Sequence, residues 1–213
     1  MTTTIDTLRA ALRRDLHDED PSAYRWQDDV LDRHLTRAMR ELSLELPREQ
    51  KTALLTTPDS REVSVASLAD LVRVEAVEYP TGEWPPCYTQ FSVYETTLIL
   101  LTPNAPAGAD DVNVYWGALH TLDDVTSTLP ATAEDTVVLG AAGYAALEWA
   151  SFATNRANVT GADAFASYQD WGDSRMQQFR ESLRGLRRQS RLSTATLYTP
   201  ERSAGRSTVQ WLS

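Results

Sequence analysis

The apolar residues of this chain change their spacing twice, and that double switch restricts the available folds more than any single motif does. In "TTIDTLRAALRRDL" the residues Ile5, Leu8, Leu12 and Leu16 recur at intervals of three and four, so they share one helix face. Thr3 or Thr4 can cap this helix, and Asp6 falls in the first turn, where the dipole favours a negative charge. After "HDEDPSAY" a second helix is expected near Trp26, with Asp28 and Asp29 in its first turn. Its apolar positions Leu31, Leu35, Ala38, Leu42 and Leu46 hold the helical period until Pro47 stops it.

From about Thr52 the period becomes two and strand formers take over. "EVSV" alternates, and "LVRVEAVEYP" puts Val72, Val74 and Ala76 on one side. "YTQFSVYETTLILL" reads as two strands around Glu95 and Thr96, and "DVNVYWG" alternates Val112, Val114 and Trp116 with Asn113 and Tyr115. The stretches "YPTGEWPPCY" and "LTPNAPAGADD" must be loops, because proline cannot serve in a central strand. Past "LPATAEDT" the helical period returns. There Gly140, Ala141, Ala142, Gly143, Ala145 and Ala146 strip bulk from nearly two turns of helix, at about 1 kcal/mol for each interior glycine, so a close helical partner is expected. The stripe Phe165, Tyr168, Gly172, Met176, Phe179, Leu183 and Leu186 offers one within the chain, and the partner could equally come from a neighbouring subunit.

The expected fold is α+β and mainly α. About four helices form a bundle, a small antiparallel β module is inserted between the second and third long helices, and an extended C-terminal tail follows. The corresponding segments are 1–51 and 123–190 for the two helix pairs, 52–122 for the β module and 191–213 for the tail. Thr, Ser, Pro200 and Gly205 fill that tail, which cannot bury enough apolar surface alone to repay its ordering entropy. Its Val209, Trp211 and Leu212 therefore lack an internal partner in the sequence pattern. Trp84, Trp116, Trp149 and Trp171 read as core or module-packing residues, and Trp26 as packing where the second helix starts.

Charge divides the chain the same way. Residues 1–170 carry 12 Lys and Arg against 27 Asp and Glu, whereas residues 171–213 carry 8 against 3. An acidic body with a basic end argues against a general nucleic-acid binder and for a tail seeking an acidic surface. Arg184, Arg187 and Arg188 either complement a helix dipole or belong to that basic end; Arg202 and Arg206 lie well past the helix.

Catalytic signatures are lacking, and the chain is expected not to be an enzyme and to need no cofactor. "GAAGYAAL" carries glycines but no Lys and Ser/Thr of a phosphate loop. The pairs Asp28-Asp29, Asp110-Asp111 and Asp123-Asp124 lack calcium-loop spacing and are expected to be solvated acids. Cys87 is the only cysteine, which excludes an intramolecular disulfide and fits a reducing compartment. The N-terminus has no signal-peptide run and no eighteen apolar residues are contiguous, so a soluble product with no membrane association is expected, and "NVT" at Asn158 reads as an idle glycosylation acceptor.

The arrangement as a whole resembles the head-to-tail connector proteins, or adaptors, of tailed bacteriophages and prophages. The residues that carry the resemblance are the N-terminal helix pair, the β insertion ending in "DVNVYWGALHTLDD", the passage "STLPATAEDTVVLGAAGYAALEWASFATNR", the amphipathic helix after it and the extended tail. The resemblance implies a structural protein of the virion neck, made in the host cytoplasm, that forms a ring of twelve subunits docked on the portal protein. Such a ring extends the DNA channel without sequence-specific binding and offers a platform to a downstream neck or tail protein. It also implies that the C-terminal segment tethers the ring to the portal, with Leu197, Tyr198, Arg202, Arg206, Val209, Trp211 and Leu212 as the chosen contacts. Other readings are a stopper or tail-completion ring and, in a different class, a small cytoplasmic regulator whose basic tail binds acidic partners or nucleic acid.

Overall fold

The computed structural model describes residues 3–154 and 162–197, and the acceptor Asn158 lies outside them. Helix α1 (Ile5–Asp15) starts at a capping box: the Thr7 amide donates to Thr4 Oγ1 at 3.3 Å and the Thr4 amide to Thr7 Oγ1 at 2.9 Å. Helix α2 spans Asp28–Glu45, α3 Glu134–Thr154 and α4 Ala162–Leu197. Contacts between them fix an up-down-up-down bundle. Arg9 meets Asp32 and Arg13 meets Asp28, so α1 and α2 are antiparallel. His34 meets Glu148 and Glu41 meets Tyr144, so α3 runs against α2.

The small residues of α3 do what their spacing predicts. A Cβ on Gly140 would lie 2.9 Å from the Phe179 ring, one on Gly143 2.8 Å from Met176 Sδ, and one on Gly172 2.9 Å from Leu147 Cγ. The partner is α4 of the same chain. Phe179, Leu12, Leu31, Leu35 and Leu42 are fully buried around this contact, each stabilising the fold by about 1.5–3 kcal/mol. Of the stripe expected on α4, Gly172, Met176, Phe179 and Leu183 are buried and Tyr168 and Leu186 are half-buried.

The period-two segments by themselves read as one small antiparallel sheet, and the β module is two sheets. Strands β1 (Arg48–Leu55), β6 (Asp111–Ala118) and β3 (Leu71–Glu78) form the order β1-β6-β3; β2 (Glu62–Ser64), β5 (Thr97–Leu100) and β4 (Phe91–Tyr94) form β2-β5-β4. All pairings are antiparallel. Val63, Leu98 and Leu100 of one sheet share a core with Val77, Val112 and Val114 of the other.

Three expectations need correction here. The strand structure begins at Arg48, directly after Pro47, not near Thr52, because β1 is an edge strand whose alternate half-buried and exposed residues carry no apolar stripe. Val72, Val74 and Ala76 do not form one apolar row: register shifts between Leu71 and Arg73 and between Val74 and Ala76 change the parity, so Val77 enters the shared core with Val74 packed against it. Trp84, expected in a core, is 91% exposed, since the proline-rich connection after β3 gives it no sheet face to occupy.

His120 joins the module to the bundle. Its amide donates to Ser43 Oγ at 3.1 Å, its Nε2 lies 3.0 Å from the Leu46 carbonyl and its Nδ1 2.9 Å from the Thr128 carbonyl. Burial lowers its pKa from the ordinary histidine value, against the Thr128 and Leu46 carbonyls, which act to raise it.

Candidate assembly surfaces

Helix α4 extends beyond the boundary drawn at Ser190, so residues 191–197 of the expected tail are helical. Leu197 is its last residue; Tyr198, Arg202, Arg206, Val209, Trp211 and Leu212 lie outside the described residues. The later helix end also decides what Arg184 and Arg187 do. Dipole effects fade within the last turn, and α4 has no basic residue there, so neither arginine acts as a dipole partner. Arg187 instead pairs with Glu45 of α2 at 3.3 Å.

The helices α2, α3 and α4 bound a groove of about 560 Å³. Along its wall Arg33 Nη2 reaches both oxygens of Glu148, at 2.7 and 2.5 Å. The His34 Nε2 lies 2.6 Å from Glu148 Oε2. Burial, the largest influence, pulls the His34 pKa below 6.5 against the attraction of Glu148. The Arg37 guanidinium stacks 3.9 Å above the Tyr144 ring, and Tyr144 donates its hydroxyl hydrogen to Glu41. Burial first, and then Glu41, pushes the Tyr144 pKa up to about 12. Arg180 of α4 lines the same groove.

Two further polar clusters are accounted for by the fold. Arg13 is 6% exposed, bonds Asp18 Oδ2 at 2.7 Å, Asp28 Oδ1 at 2.6 Å and the Trp26 carbonyl at 3.0 Å, and stacks 3.5 Å from the Tyr24 ring centroid. Asp28 is thus a partner in an ion-pair network as well as a helix-start acid, and Arg13 holds its pKa below the ordinary carboxylate range. Buried Glu78 of β3 accepts from Tyr115 at 2.8 Å and Asn113 at 3.0 Å. Burial works to raise its pKa, but these bonds and Lys51 hold it low. Asp123 caps its own turn, accepting from the Val125 and Thr126 amides at 2.8 and 2.6 Å.

Sequence reasoning missed the groove because its lining comes from three helices. The signal present was the spacing of Arg33, Arg37 and Arg40, which puts three cations on one face of α2.

No protein-family model and no curated protein matches the chain. Among solved structures, it is similar to a chain in the neck of an empty GTA particle computed with C6 symmetry, at 17% identity and TM-score 0.30 over 67% of this chain and 77% of that one. It is also similar to a chain in the neck of a native GTA particle computed with C12 symmetry, at 18% identity and TM-score 0.29 over 68% and 81%.

Proposed function

We propose that this chain is a head-to-tail adaptor: a structural subunit that assembles into a ring on a phage portal, extends the DNA channel and receives the next neck or tail component. It works by assembly and not by catalysis. The observation that carries this reading is the length of α4. With 36 residues against 21 in α3, it is about 54 Å long where its antiparallel partner is about 32 Å. The helix runs to Leu197 and leads into the basic end of the chain.

The charge distribution supports the same role. A predominantly acidic body repels phosphate and lets DNA slide through a channel, while a basic terminal segment suits an acidic recess on a partner. Twelve tethered copies raise the effective concentration of weak individual anchors, so the ring holds even when each peptide pays an ordering cost. The contacts assigned to the portal are Leu197, Tyr198, Arg202, Arg206, Val209, Trp211 and Leu212.

Truncation after Leu197 tests this directly, because it leaves the described helix whole. The shortened chain is expected to keep its circular dichroism spectrum and melting temperature and to lose co-sedimentation with portal rings. Undiminished co-sedimentation would sink the tether. Capture by a preformed adaptor ring instead of the portal would assign the chain to the stopper position.

A further inference from the structure

We infer that the arginine face formed by α2 and α4 docks head-to-tail onto an acidic surface of a second copy of this chain. This contact rests on the ring proposed above and specifies which face of each subunit meets its neighbour.

Arg33, Arg37 and Arg40 occur at i, i+4 and i+7 on α2, and Arg180, Arg184 and Arg187 repeat the interval on α4. All six are exposed. The two stripes are neighbours, because both helices bound the groove and Arg187 is paired with Glu45. Three of the arginines are matched within the face, Arg33 by Glu148, Arg37 by Glu41 and Arg187 by Glu45. Among the described residues, Arg40, Arg180 and Arg184 make no ion pair. Arg180 lines the open hollow of about 560 Å³ together with Tyr144 and Met176, Arg40 and Arg184 lie further along the same two helices, and Leu44, 53% exposed, continues the α2 face. Arginine, tyrosine and methionine are enriched in protein–protein interfaces and carry much of their binding energy.

Charge selects the occupant. Setting these six arginines aside, the remaining chain has 14 Lys and Arg against 30 Asp and Glu. Outside this face and the basic C-terminal end, a second copy therefore carries a large excess of acidic over basic residues. Two copies meeting face to face would set unpaired guanidinium groups against each other, whereas the face of one copy on a different, acidic surface of the next is attractive. Such a contact is heterologous, and heterologous contacts close into rings when the rotation permits. Duplex DNA fits less well, because Glu41, Glu45, Glu148 and Asp173 lie among the arginines and would face the phosphates.

The test is sedimentation of the full chain as its concentration is raised, for the parent, for the double variant Arg40→Glu/Arg184→Glu and for Arg14→Glu, a 73% exposed cation on α1. The parent is expected to self-associate, and to do so less as salt screens the charges. The double variant should associate about tenfold more weakly, equivalent to about 1.4 kcal/mol, with Arg14→Glu unchanged and all three melting alike. Rings that form equally well in the double variant would remove this face while leaving the ring itself standing. A parent that stays monomeric at every concentration would overturn the contact, and portal co-sedimentation would then judge the adaptor reading separately. Duplex-DNA binding by the parent that is lost in the double variant, with self-association unchanged, would assign the arginines to DNA.

Discussion

Replacing Gly140 by alanine sets two effects of known sign against each other. In an open helical position the change is favourable, by about 0.8–1 kcal/mol, because alanine loses less backbone entropy. Gly185, on α4, is such a position: a Cβ there meets nothing within 4 Å. At Gly140 the same Cβ would sit 2.9 Å from three ring carbons of Phe179, a fully buried side chain with no vacant space to move into. Overpacking of this kind costs about 1–3 kcal/mol. The net effect expected at Gly140 ranges from neutral to about 2 kcal/mol destabilising, and the difference from Gly185→Ala, which removes the propensity gain, is about 1–3 kcal/mol. In a domain of this size that difference corresponds to roughly 2–12 °C in melting temperature. Urea unfolding of both variants measures it, with equal m-values required for the comparison. Phe179→Leu should lose less stability in the Gly140→Ala background than in the parent, giving a coupling energy in a double-mutant cycle. If Gly140→Ala stabilises the protein as much as Gly185→Ala, the close α3–α4 contact is refuted, and with it the reason for glycine at that position.

Other perturbations follow from the same structure. Arg13→Ala leaves the buried carboxylate of Asp18 without its cation and should cost about 3–5 kcal/mol, read from thermal melts; a loss below about 1 kcal/mol would show that Asp18 is solvated. His34 and His120 both have folded-state pKa values depressed by burial, so the unfolded chain takes up protons that the folded chain refuses. Stability is therefore full above the ordinary value of 6.5 and falls as pH drops through it toward the folded values. Urea midpoints measured between about pH 7.5 and 5 should decline in the parent and decline less in His34→Asn/His120→Asn, and parallel profiles would discount both rings. His120→Ala also removes the link to the Leu46 and Thr128 carbonyls, so amide exchange should accelerate at residues 119–128 before it does in the helices; uniform protection would deny that His120 anchors the module.

Much of the fold could be read in the residues because each element carries its own period. Leu8, Leu12 and Leu16 declared α1, Thr4 its start and Pro47 the end of α2, and Glu95-Thr96 the turn of the β4–β5 hairpin. The glycine and alanine run on α3 announced a close partner, and Phe179 and Met176 fill that space. The edge strand β1 and the face of β3 were less legible. At an edge, alternation between half-buried and exposed residues leaves no apolar row, and a bulge reverses parity without changing composition. Trp84 shows the converse, since hydrophobicity alone assigns an indole to a core while the local prolines deny it a surface to pack on.

Sequence alone thus determined the order of elements, the insertion of a β module between helix pairs and the opposition of an acidic body to a basic end, because these depend on local periodicity and on summed charge. Only the tertiary structure decided which side chains meet. It buried Arg13 between Asp18 and Asp28, set His120 between module and bundle, and brought Arg33 and Arg37 of α2 into one groove with Arg180 of α4, more than a hundred residues away. Such neighbours share no local signal. Their proximity follows from helices packing parallel and antiparallel around one core, and no spacing along the chain encodes it.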